Sequence, residues 1–272
     1  MTTQTVLTLD VDDARLYYEL RGTGPLVVLV GAPMDADSFA PLADLLATDY
    51  TVLTTDPRGI NRSPLDNPDQ DSTPAQRAAD LAALITHVGA GPAIALGSSG
   101  GAVSVLALAE LYPDSVSRVI AHEPPLLNLL DDRVEQNALS EDLRATYLSG
   151  DVVGAWEKFF AQANIFLPPG MAAEMFGGER DTQSMVDERF WFGHELGPSV
   201  SWEPRLDTLR DGPVRIVVGI GEESGGQLCE RTSTALAAGL GVEPTRFPGG
   251  HTGFADDPAT FEPVLRAVLA EG

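Results

Sequence analysis

The residues around Ser99 have the types and spacing that nucleophilic catalysis requires. The stretch 97–101 reads Gly-Ser-Ser-Gly-Gly and directly follows a short apolar run. A serine at a sharp turn between a strand and a helix needs small residues two places before and after it, because its strained backbone brings the flanking chains close. Gly97 and Gly101 satisfy this need for Ser99, whereas a leucine stands two places before Ser98. We therefore predict that Ser99 is a nucleophile and that the helix after it stabilises a developing oxyanion.

His251 is the residue best suited to activate that hydroxyl. It follows two glycines and lies between a strand predicted at Pro244–Phe247 and a helix predicted at Pro258–Ala270. This position puts it in a loop at the carboxyl end of the predicted sheet, the edge that also holds Ser99. A serine hydroxyl is a poor nucleophile until a base removes its proton, and an imidazole accepts protons readily near neutral pH. We therefore predict that His251 is the general base.

Short apolar runs alternate with longer helical patterns along most of the chain. This alternation predicts an α/β fold with a mostly parallel sheet covered by helices on both faces. Two β-rich runs that flank a turn predict an antiparallel hairpin at the start. The predicted strands are Thr5–Leu9, Arg15–Leu20, Leu26–Val30, Thr51–Thr55, Ala93–Leu96, Val116–Ala121, Val214–Val218 and Pro244–Phe247. The predicted helices include Ser38–Ala47, Pro74–Val88, Gly100–Leu111, Ser233–Gly239 and Pro258–Ala270.

The pattern changes between Pro124 and Pro204, where helical segments dominate and no buried-strand run occurs. All three tryptophans and six of the ten phenylalanines lie in this stretch. Aromatic side chains at this density indicate a small core of their own, and some are expected to line a pocket. We predict a core domain formed by residues 1–123 and 205–272, with residues 124–204 inserted as a helical lid.

The charge and composition of the chain disfavour several classes of protein. Lys and Arg number 17 against 40 Asp and Glu, so the formal net charge at pH 7 is −23, which disfavours nucleic acid and anionic membrane surfaces as partners. One cysteine, Cys229, and one lysine, Lys158, leave no disulfide, no cysteine cluster and no Walker lysine. We therefore expect no cofactor and no metal. The first residues do not resemble a signal peptide and no long apolar run occurs, so a cytoplasmic location is expected.

The serine turn precedes His251 in the chain, and His251 is the last of the candidate catalytic residues. In this order of residues the chain resembles members of the α/β-hydrolase superfamily along nearly its whole length. The stretch Asp-Pro-Arg-Gly at 56–59 is similar to the start of the D-x-R-G-x-G-x-S loop of that superfamily, with Asn61 in place of one glycine. The stretch Val-Gly-Ala-Pro at 30–33 resembles its H-G-x-P loop, with a valine where a histidine is common. The resemblance implies that the backbone N–H groups of Ala32 and Gly100 form the oxyanion hole.

The carboxylate that orients His251 has three candidates. In the superfamily it often follows the strand after the insertion as G-x-x-D, but this chain has Gly-Glu-Glu-Ser at 221–224, without an aspartate. Glu222 or Glu223 can take the role with one more methylene. The acid can instead come from Glu123, at the end of the preceding strand, an arrangement that certain haloalkane dehalogenases resemble. All three stay open, with Glu123 and Glu223 as the preferred catalytic candidates.

The resemblance implies acyl transfer to water. A serine rather than an aspartate at the turn argues against the dehalogenase and epoxide hydrolase branches of the superfamily. We expect a serine hydrolase that cleaves a carboxylic ester or lactone of a small apolar substrate through an acyl-enzyme on Ser99. Two alternatives stay open. The same residues can cleave a carbon–carbon bond or form a peroxyacid, or the fold can be catalytically silent and bind a ligand under its lid.

Overall fold

A mostly parallel sheet forms the centre of the protein. The structure, a computed structural model, describes residues 4–271. Its strands are β1 (Thr5–Val11), β2 (Ala14–Arg21), β3 (Leu26–Val30), β4 (Thr51–Thr55), β5 (Ala93–Ser98), β6 (Val116–His122), β7 (Arg215–Gly221) and β8 (Thr245–Phe247). Their order across the sheet is β1-β2-β4-β3-β5-β6-β7-β8. The β1–β2 and β2–β4 pairs are antiparallel and the others are parallel, which confirms the entry hairpin and the mostly parallel sheet.

Helices cover both faces of this sheet, as predicted. The helices are α1 (Ala36–Leu46), α2 (Pro74–Val88), α3 (Gly100–Leu111), α4 (Arg133–Leu148), α5 (Val152–Ala163), α6 (Met171–Phe176), α7 (Thr182–Phe190), α8 (Leu196–Val200), α9 (Leu206–Asp211), α10 (Leu228–Leu240), α11 (Gly253–Asp256) and α12 (Pro258–Ala270). One face of the sheet packs mainly against α2, α3, α9 and α10, and the other against α1, α11 and α12. Every residue of β3 is buried, which explains its uninterrupted apolar sequence.

The ends of α2 lie where the sequence predicts them. Thr73 and Gln76 form a reciprocal capping box at its start, with Pro74 as its first residue. Gly89 ends the helix in the left-handed conformation, at φ 70°. Local side-chain chemistry therefore determines the limits of this helix.

Strands β5 and β6 extend further than their apolar patterns predict. Their pairing continues through Gly97 with Ala121 and through Ser98 with His122. Backbone hydrogen bonds make this ladder, so it does not need apolar side chains at every position. As a result, the two strands end directly before Ser99 and Glu123, at the same edge of the sheet.

Residues 124–204, all of which the structure describes, contain α4 to α8 and no strand of the sheet. It has an apolar cluster of its own, in which Tyr147 and Phe192 stack at a centroid distance of 4.1 Å. A π-helical turn, Trp191–Glu195, joins α7 to α8. The inserted helices are therefore present at the predicted place, while their role as a separate lid domain stays a prediction.

Candidate active site

Ser99 occupies the turn between β5 and α3. Its backbone has φ 56° and ψ −124°, a conformation that residues with a side chain rarely adopt. The Ser99 N–H group donates to the carbonyl oxygen of His122 at 3.0 Å, which connects the turn to the end of β6. Ser98 is fully buried, and its hydroxyl oxygen lies 3.2 Å from Nδ1 of His122. Of the two serines, it is Ser99 that lines the neighbouring cavity.

We predict that Gly97→Ala destabilises the protein by about 3 kcal/mol, because overpacking at backbone is costly. A Cβ atom added at Gly97 would lie 2.2 Å from the carbonyl oxygen of Gly101 and 2.7 Å from the backbone nitrogen of Ala102. Gly225→Ala is the matched control, since a Cβ atom there meets no other part of the described chain within 4 Å. Urea unfolding measures the free energy of unfolding of each variant. Equal values for the two would contradict the close packing of this turn.

His251 and Glu123 form a hydrogen-bonded pair at the same edge of the sheet. His251 lies between β8 and α11, and its Nδ1 atom is 2.6 Å from Oε2 of Glu123. Glu123 directly follows β6, with φ 54°, and its side chain is fully buried. Its second oxygen, Oε1, accepts a hydrogen bond from the N–H group of Gly221 at 2.8 Å. The carboxylate is thus held from two sides, and Nε2 of His251 is the ring nitrogen left to exchange a proton.

Glu123 is ionised at neutral pH. Its burial favours the neutral acid, but the hydrogen bond and charge of His251 outweigh burial and lower the pKa of Glu123 to about 2. An ionised carboxylate at Nδ1 favours the tautomer that carries its proton there. The preceding residue, His122, packs edge-on against three phenylalanines, and burial lowers its pKa to about 4. His122 is therefore a neutral core residue.

The other two candidate carboxylates do not reach His251. Glu222 and Glu223 are exposed in the turn after β7. Their backbone N–H groups donate to the carbonyl oxygens of Phe247 and Gly249, at 2.8 and 2.9 Å. The backbone of this turn therefore supports the loop that carries His251, while both side chains stay in solvent, where a carboxylate is well hydrated. The structure brings Glu123, and neither Glu222 nor Glu223, to the imidazole.

Ala32 and Gly100, the implied oxyanion donors, belong to adjoining backbone segments. A Cβ atom added at Gly100 would lie 2.6 Å from the carbonyl oxygen of Ala32, and both residues line the same cavity as Ser99. Gly100 is the first residue of α3, where N–H groups have no partner within the helix. The helix start therefore offers N–H groups and a positive partial charge beside Ser99.

The loop after β4 supports the segment that follows Ala32. Oδ1 of Asp56 accepts a hydrogen bond from the N–H group of Ala36, at the start of α1, at 2.9 Å. Its Oδ2 accepts from Nε of Arg62 at 2.6 Å. Two nitrogens of Arg58 donate to the two carboxylate oxygens of Asp80, each at 2.7 Å. Asp56 and Arg58, which belong to the stretch that resembles the superfamily loop, thus hold neighbouring segments in place.

A cavity of about 300 Å³, here called the Ser99 cavity, is lined by Ser99, His251, Ala32 and Gly100. The inserted helices supply much of its remaining surface, which is mainly apolar. These residues include Leu127, Leu143, Phe159, Phe160, Trp191, Leu196 and Val200. Trp156, in contrast, belongs to the core of the insertion, where its ring stacks on Phe176 at a centroid distance of 4.1 Å. Some aromatic residues of the insertion therefore line the cavity, while others contribute only to its core.

Glu195 is the cavity residue that sequence reasoning missed. It ends the π-helical turn, is fully buried and lines the Ser99 cavity. The signal in the sequence is one glutamate within the largely apolar stretch Phe190–Leu196. A single charge among aromatic residues is equally typical of the exposed side of a helix. Only the packing of the insertion shows that this residue faces inwards.

The described residues contain no group of three or more His, Cys, Asp or Glu side chains arranged to hold a metal ion. Cys229 lines the Ser99 cavity, and burial raises the pKa of its thiol, which keeps the thiol protonated. Within residues 4–271, no helix combines the length and apolar character needed to cross a membrane.

Comparisons with known proteins identify the family. A family model described as alpha/beta hydrolase fold matches residues 24–155. The chain is 30% identical over 262 residues to Uncharacterized hydrolase YraK of Bacillus subtilis (strain 168), which covers 91% of this chain and 89% of that protein. The chain therefore belongs to the alpha/beta hydrolase family, and it is a hydrolase. The resemblance seen in the motifs is confirmed at the level of family and fold.

Two further similarities agree with this assignment. The chain is 32% identical over 152 residues to 2-(acetamidomethylene)succinate hydrolase of Mesorhizobium japonicum, over 52% of this chain and 54% of that protein. The crystal structure of the enol-lactonase from Burkholderia xenovorans LB400 matches with a TM-score of 0.72 at 17% identity, over 97% of this chain and 100% of that chain. At 17% identity, the similarity to the enol-lactonase structure shows a shared fold.

Proposed function

We propose that this hydrolase cleaves a carboxylic ester or lactone of a small apolar substrate through an acyl-enzyme on Ser99. One observation carries the proposal. Ser99 and His251 line the same mainly apolar cavity, and His251 is hydrogen-bonded to a buried, ionised carboxylate. The enol-lactonase named above, a protein of the same fold, supports an ester-type bond as the target.

The proposed reaction has two symmetrical halves. Ser99 Oγ attacks the carbonyl carbon while Nε2 of His251 takes the hydroxyl proton, and the N–H groups of Ala32 and Gly100 stabilise the oxyanion. When the intermediate collapses, the carbon–oxygen bond to the alcohol breaks and His251 returns the proton to the leaving oxygen. Water then attacks the acyl-enzyme with the same proton transfers and releases the acid. Glu123 stays ionised throughout and stabilises the protonated imidazole.

We further propose that residues 124–204 act as a lid over a core formed by residues 1–123 and 205–272. Much of the apolar lining of the Ser99 cavity belongs to this segment. The segment also contacts the loop after β4, where the N–H group of Asn61 donates to Asp187 at 2.9 Å. A cover of this kind excludes water and binds the apolar part of the substrate.

We predict that the protein hydrolyses p-nitrophenyl acetate and butyrate with kcat/KM of about 10⁴ M⁻¹ s⁻¹ or more, and longer acyl chains less well. The Ser99 cavity, at about 300 Å³, limits the acyl group that fits. The release of p-nitrophenol measures turnover. Labelling with a fluorophosphonate, followed by peptide mass spectrometry, should locate the adduct on Ser99. Absence of both turnover and label would contradict the proposal and favour ligand binding without catalysis.

A further inference from the structure

Glu195 is a buried acid that the proposed reaction does not use. Its side chain is fully buried, and it lines the Ser99 cavity. Neither of its carboxyl oxygens has a hydrogen-bond partner among the described residues. Nearly all buried polar groups are hydrogen-bonded, and an unpaired one costs about 1–3 kcal/mol. Both oxygens are also shielded from the cavity itself in this structure, so the carboxyl meets a partner there only after its side chain turns towards the cavity. A buried carboxyl beside a substrate cavity and without a protein partner points to a partner on the substrate.

The surroundings of Glu195 restrict what that partner can be. The positive charge of Arg77, on α2, acts on Glu195 through space. Arg77 itself donates to uncharged oxygens, namely the hydroxyls of Ser104 and Ser199, each at 2.8 Å, and the carbonyl oxygen of Ser72 at 2.5 Å. A fixed guanidinium near the carboxyl disfavours a cationic group on the ligand, because like charges repel strongly in a buried site. An uncharged group is therefore favoured.

Among uncharged groups, a hydroxyl can pair with either protonation state of Glu195. Burial raises the pKa of Glu195 to about 7, and the charge of Arg77 offsets burial only in part. Both protonation states of Glu195 are therefore populated near neutral pH. A hydroxyl donates to the ionised carboxylate and also accepts from the protonated acid, so it pairs with both states. An N–H group can pair with both states only as a donor.

We propose that Glu195 is a specificity-determining residue that hydrogen-bonds a hydroxyl group on the substrate within the Ser99 cavity. The inference rests on the proposed function, because it names the class of ester that the site selects: apolar esters that bear one hydroxyl. Glu195 takes no part in breaking the bond. Its contact is made equally before and during the reaction, so it should act on KM more than on kcat.

Two pairs of esters test this inference, each pair differing by a hydroxyl in place of a methyl group. One pair is p-nitrophenyl 6-hydroxyhexanoate and p-nitrophenyl heptanoate. The other is the p-nitrophenyl ester of 4-hydroxyphenylacetate and that of 4-methylphenylacetate, which places the hydroxyl at a different distance from the carbonyl. We expect the hydroxylated member of at least one pair to have a kcat/KM higher by about tenfold or more, mainly through KM. No preference in either pair would overturn the inference.

Variants at Glu195 show whether it is the source of that preference. Glu195→Leu should abolish the preference, so that the two members of each pair are hydrolysed with similar kcat/KM. Glu195→Gln still offers an acceptor and a donor, so it should retain most of the preference. Thermal unfolding shows whether each variant is folded, and Glu195→Ala replaces Glu195→Leu if the latter is not. A preference that survives loss of the carboxyl would overturn the inference.

Binding separates this inference from the proposed function. If none of the four esters is hydrolysed, the same esters are titrated into Ser99→Ala protein by calorimetry; the proposed function itself fails only if p-nitrophenyl acetate and butyrate are not hydrolysed either and no label is found on Ser99. A hydroxylated member that binds about tenfold more tightly, with the difference lost on Glu195→Leu, supports the role of Glu195 without catalysis. Equal affinities within both pairs would mean that Glu195 makes no contact with the hydroxyl group and would end the inference.

Discussion

Ser99→Ala should lower kcat/KM for p-nitrophenyl butyrate by about 10⁴-fold or more. The substitution removes the oxygen that attacks the carbonyl, while the turn, the helix start and the cavity stay in place. Ser98→Ala is the matched control, because Ser98 is adjacent, fully buried and hydrogen-bonded to His122 instead of lining the cavity. We expect the control to keep activity within about threefold and to lose about 1 kcal/mol of stability. Initial rates and urea unfolding measure the two effects.

The double variant that combines Ser99→Ala with His251→Ala tests whether the two residues act together. Residues that act as one catalytic unit are not additive, so His251→Ala in the Ser99→Ala background should cause little further loss. Ser99→Ala should retain the fold, since Ser99 is a turn residue. His251→Ala leaves the buried carboxylate of Glu123 without its imidazole partner, so urea unfolding accompanies its rate measurements. Independent, multiplying losses would show that Ser99 and His251 do not act together, and the proposed mechanism would then be wrong.

Glu123→Gln should lower kcat by about 10³- to 10⁴-fold with a small change in KM. The glutamine can still accept the hydrogen bond from Gly221, but its uncharged amide neither stabilises a protonated His251 nor enforces its tautomer. Glu222→Gln and Glu223→Gln are the matched controls, because both side chains are exposed in the neighbouring turn. Comparison of kcat for the parent protein and these three variants identifies the carboxylate that orients His251. Loss in Glu223→Gln with activity kept in Glu123→Gln would reverse the assignment.

The hydrogen-bonded pair of Glu123 and His251 also makes the stability of the protein depend on pH. The pKa of Glu123 in the folded protein, about 2, lies below its ordinary value of 4.5. A lowered folded-state pKa means that the ionised group stabilises the fold above pH 4.5, and that this contribution is lost as the pH falls towards about 2. The difference in unfolding free energy between the parent protein and Glu123→Gln should therefore shrink between about pH 5 and pH 3. Urea titrations across this range measure it, and a constant difference would contradict the ionised pair.

The fold was largely predictable because its signals are local. The buried run Leu26–Val30, the cap of α2 at Thr73 and the helix stop at Gly89 each depend on neighbours within a few residues. The turn at Ser99 is also visible in the sequence, because only glycine fits two places on either side of it. The predicted ends of β5 and β6 were less accurate, since the last residues of these strands are held by backbone pairing rather than by apolar side chains.

The acid and the lining of the cavity needed the tertiary structure. His251 and Glu123 are 128 positions apart, and no local pattern distinguishes Glu123 from Glu222 and Glu223. The inward position of Glu195 likewise depends on how the inserted helices pack over Arg77 and the sheet edge. The sequence alone therefore determined the family, the alternation of strands and helices, and a serine turn that glycine makes possible. Which carboxylate meets the imidazole and which acid faces the cavity was decided by contacts between distant segments, because side-chain partners are chosen by three-dimensional packing.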